Sequence, residues 1–318
     1  MEGTREVTVL LIEKGLERAQ IAEQPLMREL EGRRAAVVRH GSLEEATGTL
    51  LEGGFDCILL GLTLLDGAAL GALRGVRARA PQAPIVVLST EEDQSIALRA
   101  EQEGADAFLA KGQAAGDRLW REIDHAIEQK HAALAAARRA THDGLTGLPN
   151  RALFLDRLGL TLGRLQRRSR AAAVLFLGLN DFRSVNDRFG HEIGDRLLVA
   201  VGERLSELLR PGDTVGRFGG DEFMLLCDDI SSEEDATAVA DRLGAELRLP
   251  FQLEQLDVTV AASFGVVVAE GTGRAAQELL HAAHRGMKAA KGRGARWQLA
   301  HPAEPAGSTA GLNHPSRG

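Results

Sequence analysis

The sequence has few cysteines, no long apolar run and no concentration of positive charge, and each lack excludes a class of protein. Its 318 residues contain 2 cysteines, Cys57 and Cys227, both inside apolar strand-like runs. Such thiols behave as small hydrophobes, so no disulfide is expected. No apolar run approaches the roughly 20 residues needed to cross a bilayer. The acidic opening Met1-Glu2-Gly3 lacks a charged-then-apolar export signal, which leads to the expectation of a cytoplasmic protein with no membrane partner. The net charge of −7, with both signs mixed along the chain, offers no positive face for nucleic acid. The basic stretch 164–170 reads as the solvated side of a helix.

What is present suggests two domains, each long enough to bury a core. Residues 1–116 alternate short apolar runs at 7–12, 35–38, 57–60, 85–88 and 108–109 with amphipathic stretches. Strands separated by single helices predict a doubly wound α/β domain with a five-stranded parallel sheet and ligands at the carboxyl ends of its strands. Residues 117–142 predict a long connecting helix. Ile123, Ile127, Lys130, Leu134 and Ala137 form a weak seam for self-pairing, and a solvated connector is the other reading.

Residues 143–299 predict an α+β domain with a mixed or antiparallel sheet: helix 152–168, strand 173–179, helix 187–209, a hairpin at Gly219-Gly220, helix 233–248, strand 258–268 and helix 275–290. The order suggests helices on one face of the sheet, as in a split βαβ unit. Residues 300–318, rich in Pro, Gly, Ser and His without periodicity, predict a disordered tail.

Within the second domain, Phe218-Gly219-Gly220-Asp221-Glu222-Phe223 predicts a tight turn presenting two carboxylates, a metal or phosphate site in outline. The blocks around it, in order, are 143–151 (Asp-Gly-Leu-Thr-Gly-Leu-Pro-Asn-Arg), 181–191 (Asp-Phe-Arg-Ser-Val-Asn-Asp-Arg-Phe-Gly-His), Gly194-Asp195, Arg217, Ser263-Phe264-Gly265 and Ala290-Lys291. Together they resemble the GGDEF domain of diguanylate cyclases over about half of the chain. The resemblance implies condensation of two GTP molecules, held by two facing domains, to cyclic di-GMP with release of pyrophosphate. Mg²⁺ would be the cofactor, held by carboxylates and substrate phosphates. It also implies that Asp221 is a metal ligand with Glu222 beside it as the catalytic turn. Asn186 and Asp195 would read the guanine edge, and Arg183 and Lys291 would meet phosphate.

The sequence departs from that pattern at Gly178 and Asn180, where the family carries Asp-x-Asp. One metal carboxylate is therefore missing, leaving the Leu179 carbonyl as a remaining oxygen. Asp181 lies awkwardly for a substitute because neighbouring strand residues face opposite ways. Misplaced metals cost orders of magnitude in rate, so catalysis is expected to be impaired. The 283–288 run Ala-His-Arg-Gly-Met-Lys and Gly294-Ala295-Arg296 also depart from the family's last helix. His281 and His284, three apart, read as an exposed helical face rather than a metal pair.

Arg210-Pro211-Gly212-Asp213 resembles the family's inhibitory Arg-x-x-Asp site for a stacked cyclic di-GMP dimer, with Arg242 as its second arginine. The plainer reading is a helix-end ion pair. In the first domain, Asp56-Cys57-Ile58-Leu59-Leu60-Gly61, Leu65-Asp66-Gly67 and the 104–111 run ending at Lys111 resemble the receiver domain of response regulators. A working receiver needs a nucleophilic Asp after its third strand and an acidic pair after its first. Here these positions hold Gly61, and Glu13 with Lys14, so phosphorylation at the usual place is excluded. Ser89, Thr90 and Lys111 are expected to be structural, and Asp66, beyond the strand end, is a poor substitute acceptor.

The expectation is a protein that binds cyclic di-GMP through Arg210, Asp213 and Arg242. It would keep a degenerate GTP site and a pseudo-receiver, dimerise through the receiver-like domain and connecting helix, and act on a further protein partner. The alternative is a working or weak diguanylate cyclase that tolerates Gly178. A third reading is an adaptor that has lost both ligands.

Overall fold

The aliphatic runs of the first unit become β1 (Arg5–Ile12), β2 (Arg33–His40), β3 (Cys57–Leu62), β4 (Ile85–Ser89) and β5 (Ala107–Ala110). Between them lie α1 (Leu16–Met27), α2 (Leu43–Glu52), α3 (Gly67–Arg79) and α4 (Gln94–Gln102), and α5 (Asp117–Thr141) follows. The computed structural model describes residues 5–27, 33–62, 67–90, 94–113, 117–165, 171–270 and 275–301. Asp66, the end of the 152–168 helix and all but the start of the 300–318 tail therefore lie outside the described residues.

All strands of the first sheet are parallel, in the order β2-β1-β3-β4-β5. This is a doubly wound order, in which both faces are buried and strands read as unbroken apolar runs. On β3, Cys57 and Leu59 join a core with Leu26, Trp120, Ile123 and Ile127, while Ile58 and Leu60 join a second core with Leu50, Leu73 and Val76. Ile123 and Ile127 are therefore committed to this unit's own core, and Lys130 pairs with Asp106 at 3.4 Å. That corrects the seam expected along α5, because three of its five positions face the first unit.

The chain divides into two units at 137/138. The second contains α6 (Arg151–Leu165), β6 (Ala171–Leu179), α7 (Phe182–Phe189), α8 (His191–Leu208), β7 (Thr214–Gly219), β8 (Glu222–Ile230) and α9 (Glu233–Glu246). These are followed by β9 (Phe251–Leu253), β10 (Leu256–Val258), β11 (Ala262–Glu270), α10 (Ala276–Gly292) and β12 (Trp297–Leu299). The main sheet runs β12-β11-β6-β8-β7, antiparallel except for the parallel β11–β12 pair.

Helices cover both faces of this sheet rather than one. Leu175 and Leu177 of β6 pack with α8 and α9, whereas Val174 and Phe176 pack with α6 and α10. The helix expected over 187–209 is two helices, broken at Gly190, whose φ of 87° belongs to the left-handed region that glycine tolerates. The strand expected over 258–268 is also divided: Val258 ends the β9–β10 hairpin, and β11 begins at Ala262. Among the described residues, no helix is long and apolar enough to cross a membrane.

Candidate functional site

The Gly-Gly-Asp-Glu turn joins β7 to β8. Gly219 and Gly220 have φ of 144° and 55°, values that a side chain would strain. Arg217, on the strand leading in, is buried and holds the turn from behind. Its Nη2 donates to the Gly220 carbonyl at 2.7 Å and its Nη1 to Oδ1 of Asp143 at 2.9 Å. The same Asp143 oxygen accepts from the Thr146 amide at 2.8 Å and hydroxyl at 2.7 Å. Burial pushes the Asp143 carboxyl up, but the Thr146 and Arg217 donors outweigh it and hold the group below the ordinary aspartate value. The 143–151 block is thus a buttress for the turn, a role that its sequence alone does not declare.

Gly178 ends the part of β6 that faces α10 and sits opposite Glu222 on β8. A Cβ at 178 would lie 2.9 Å from Sδ of Met287, so the room for a first-strand carboxylate is taken by a thioether. Three α10 residues on one face, at i, i+3 and i+7, meet the sheet end in register. His284 Nε2 lies 3.2 Å from Oε1 of Glu222, Met287 covers Gly178, and Lys291 Nζ donates to the Leu179 carbonyl at 2.7 Å. Lys291 Nζ is also 3.7 Å from Oδ2 of Asp221. The His284 ring stacks against Phe176, centroids 4.4 Å apart. His284 is therefore a partner of the turn, not a bystander on an exposed face.

This close seating of α10 depends on Gly265 of β11. A Cβ there would collide with the Ala283 carbonyl and the Met287 amide.

These residues do not fit a divalent ion. A hard cation needs several oxygen ligands at short range, yet position 178 supplies none. Asp221 and the Leu179 carbonyl face an ammonium, Glu222 faces an imidazole, and Asn180 Oδ1 accepts from the Ser263 hydroxyl at 3.1 Å. Among the described residues, no group of three or more His, Cys, Asp or Glu side chains is placed to hold a metal ion.

The α7–α8 corner holds Asn186 and Asp195. Oδ1 of Asn186 is buried without a hydrogen-bond partner, pressed so closely on Gly194 that a Cβ there would overlap it. An orphaned acceptor of this kind is costly, and its contact with Gly194 closes it to a ligand unless the side chain turns. Asp195 follows on α8 and is exposed. Arg183 is exposed and lies 3.7 Å from Asp187, an ordinary one-turn surface pair.

A separate cleft of about 600 Å³ brings together Arg210, Asp213 and Arg242 with Asp228, Asp229 and Asp235. Oδ2 of Asp213 accepts from the Arg210 amide and Oδ1 from the Asp228 amide, both at 3.1 Å, so this carboxylate pins the loop to β8. Arg242 donates to the Leu208 carbonyl at 2.8 Å, and the Arg210 side chain is exposed. Cys227 lies at the cleft floor. Burial pushes its thiol up to about 12, with Asp213 adding to the shift and Arg242 and Arg210 opposing it.

In the first unit, Glu13, Gly61 and Lys111 meet at the carboxyl ends of β1, β3 and β5, the ligand side of a doubly wound sheet. A Cβ at Gly61 would fall on the Glu13 carboxylate, whose Oε2 accepts from Lys111 Nζ at 2.6 Å. The Glu13 side chain is only 1% exposed and that of Lys111 8%. The Glu13 carboxylate thus occupies the space that a side chain at position 61 would fill. Ser89 is buried at the end of β4.

Residues 140–296 match the family model described as "Diguanylate cyclase, GGDEF domain". The chain is 41% identical over 155 residues to the bifunctional diguanylate cyclase/cyclic di-GMP phosphodiesterase MucR of Pseudomonas aeruginosa, a match covering 49% of this chain and 22% of that protein. It is 36% identical over 166 residues to the diguanylate cyclase TpbB of the same species, covering 52% of this chain and 38% of the relative. A solved structure of the TpbB GGDEF domain alone aligns with 36% identity and a TM-score of 0.47, over 51% of this chain and 94% of that one. The chain spans less than half the length of these two curated relatives.

Proposed function

Residues 140–296 make the chain a member of the diguanylate cyclase GGDEF family, and on that premise we propose that it serves cyclic di-GMP signalling by binding the dinucleotide, not by making it. The observation that carries this reading is the cleft that gathers Arg210, Asp213 and Arg242 from a loop and a neighbouring helix. Guanidinium groups supply forked donors for phosphate and flat faces for stacking, and the carboxylates on the same walls accept from the guanine N1 and N2 hydrogens. A ligand that carries both guanine and phosphate answers both sets of groups.

Catalysis is impaired on this reading because the turn's carboxylates are engaged by α10 and position 178 has none. Asn186 and Asp195 keep the capacity to hold a guanine base, so GTP is retained as a ligand of the old site. The first unit is a pseudo-receiver, whose acceptor space is filled by Glu13.

Calorimetry with cyclic di-GMP on the full chain tests the binding. Saturable binding is expected, weakened at least tenfold by Arg210→Ala or Arg242→Ala, and no heat from the parent protein rules the reading out. Incubation with GTP and Mg²⁺, with the nucleotides resolved afterwards, is expected to yield no cyclic di-GMP at ordinary cyclase turnover. Rapid product formation would establish the enzyme reading instead.

A further inference from the structure

The end of β6 is arranged around a positive charge that belongs to the chain itself. Lys291 Nζ donates to the Leu179 carbonyl at 2.7 Å and lies 3.7 Å from the Asp221 carboxylate. These two oxygens are brought side by side by the backbone, since the Leu179 amide donates to the Asp221 carbonyl at 3.1 Å. They are also the two oxygens on which a divalent ion at this turn would have to depend, because Gly178 has no side chain and Glu222 is turned to His284.

An ion bonded to the Leu179 oxygen on the Asp221 side would sit at about 2.1 Å from it. An ammonium nitrogen 2.7 Å from that same oxygen occupies the same space with the same sign of charge. The two are mutually exclusive. Position 178, where Met287 stands 2.9 Å from the Cβ site, offers an incoming ion no side-chain oxygen in exchange.

We infer that Lys291 is the resident cation of this site: it balances Asp221, satisfies the Leu179 carbonyl and keeps divalent ions out. This goes beyond the binding reading above, which concerns the cleft at Arg210, and it assigns Lys291 to the protein's own oxygens rather than to a phosphate. His284, Met287 and Lys291 then form one device, a helix face whose three side chains meet Glu222, position 178 and the paired oxygens of Leu179 and Asp221.

The test is a titration of Mn²⁺ into the full chain without nucleotide, read by the EPR signal of the free ion. Mn²⁺ shares the preference of Mg²⁺ for carboxylate and carbonyl oxygen. Lys291→Met is expected to raise Mn²⁺ affinity at least tenfold over the parent, and adding Asp221→Asn to that variant is expected to abolish the gain. Lys291→Gln, also uncharged, should behave alike and guards against a misfolded single variant, with thermal melts as the control. The inference is overturned if neither variant changes Mn²⁺ affinity. It is equally overturned if the parent binds one Mn²⁺ that Asp221→Asn removes. Because no nucleotide is present, failure of cyclic di-GMP binding at the cleft leaves this outcome unaffected.

Discussion

Nη1 of Arg217 lies 2.9 Å from Oδ1 of Asp143, and through that contact the first loop of the second unit supports the turn bearing Asp221 and Glu222. The folded Asp143 carboxyl is held below its unfolded value. A depressed carboxylate contributes stability that is present above the unfolded pKa of about 4 and fades as pH falls through the lower folded value. Asp143→Asn is expected to cost roughly 1–3 kcal/mol at neutral pH, the range for a charged hydrogen bond and a stranded donor. It should also flatten the loss of stability in acid. Urea melts from about pH 3 to pH 7 check this, and equal acid dependence in parent and variant would count against it.

Glu13 and Lys111 form a buried pair, and the two ways of removing it should differ sharply. Taking one partner away strands a buried charge, so Lys111→Met is expected to lose roughly 3–5 kcal/mol. Glu13→Leu together with Lys111→Met should recover most of that loss. A double-mutant cycle measured by denaturant unfolding reads the coupling, and strict additivity would argue that the pair does not interact.

Gly178→Asp is the obvious attempt to rebuild a metal ligand, and the structure predicts that it fails. The new side chain must enter where Met287 Sδ stands 2.9 Å from the Cβ position. Overpacking of this kind costs about 1–3 kcal/mol. The single variant should melt earlier and show no rise in cyclic di-GMP formation. A clear gain in turnover by Gly178→Asp alone would refute the account.

Gly61→Asp should likewise destabilise the first unit, because the added atoms overlap the Glu13 carboxylate. Glu13→Ala in the same chain is expected to relieve the loss. Intact-mass measurement after exposure to acetyl phosphate should find no added phosphoryl group at position 61 on the parent. Unimpaired melting of Gly61→Asp alone would show that Glu13 yields easily.

The legible parts of the fold were those written in local pattern. The unbroken apolar run of β6 reads as a strand, and its nine buried positions are what a strand covered on both faces requires. The one-faced layering expected for this sheet overlooked that same run. The break at Gly190 was hidden because α7 buries no residue, which leaves no apolar period to mark its start. The β9–β10 hairpin has strands of three residues each, too short for alternation to register. At the candidate site, the turn, Gly178 and the arginines that line the cleft could be named from sequence as positions. What His284, Met287, Lys291 and Glu13 touch could not, because those contacts join elements far apart in the chain and exist only once the sheets close.

Gly61 and Gly178 share a steric property. At each, a side chain added to the glycine would meet the end of a side chain from another element, Glu13 in the one case and Met287 in the other. A carboxylate introduced at either position requires that neighbour to shift first, so the effect of the substitution is set by a residue of a different element. Position 178, one strand away from the Gly-Gly-Asp-Glu turn, is thus answerable to the α10 helix that packs on it as much as to its own strand.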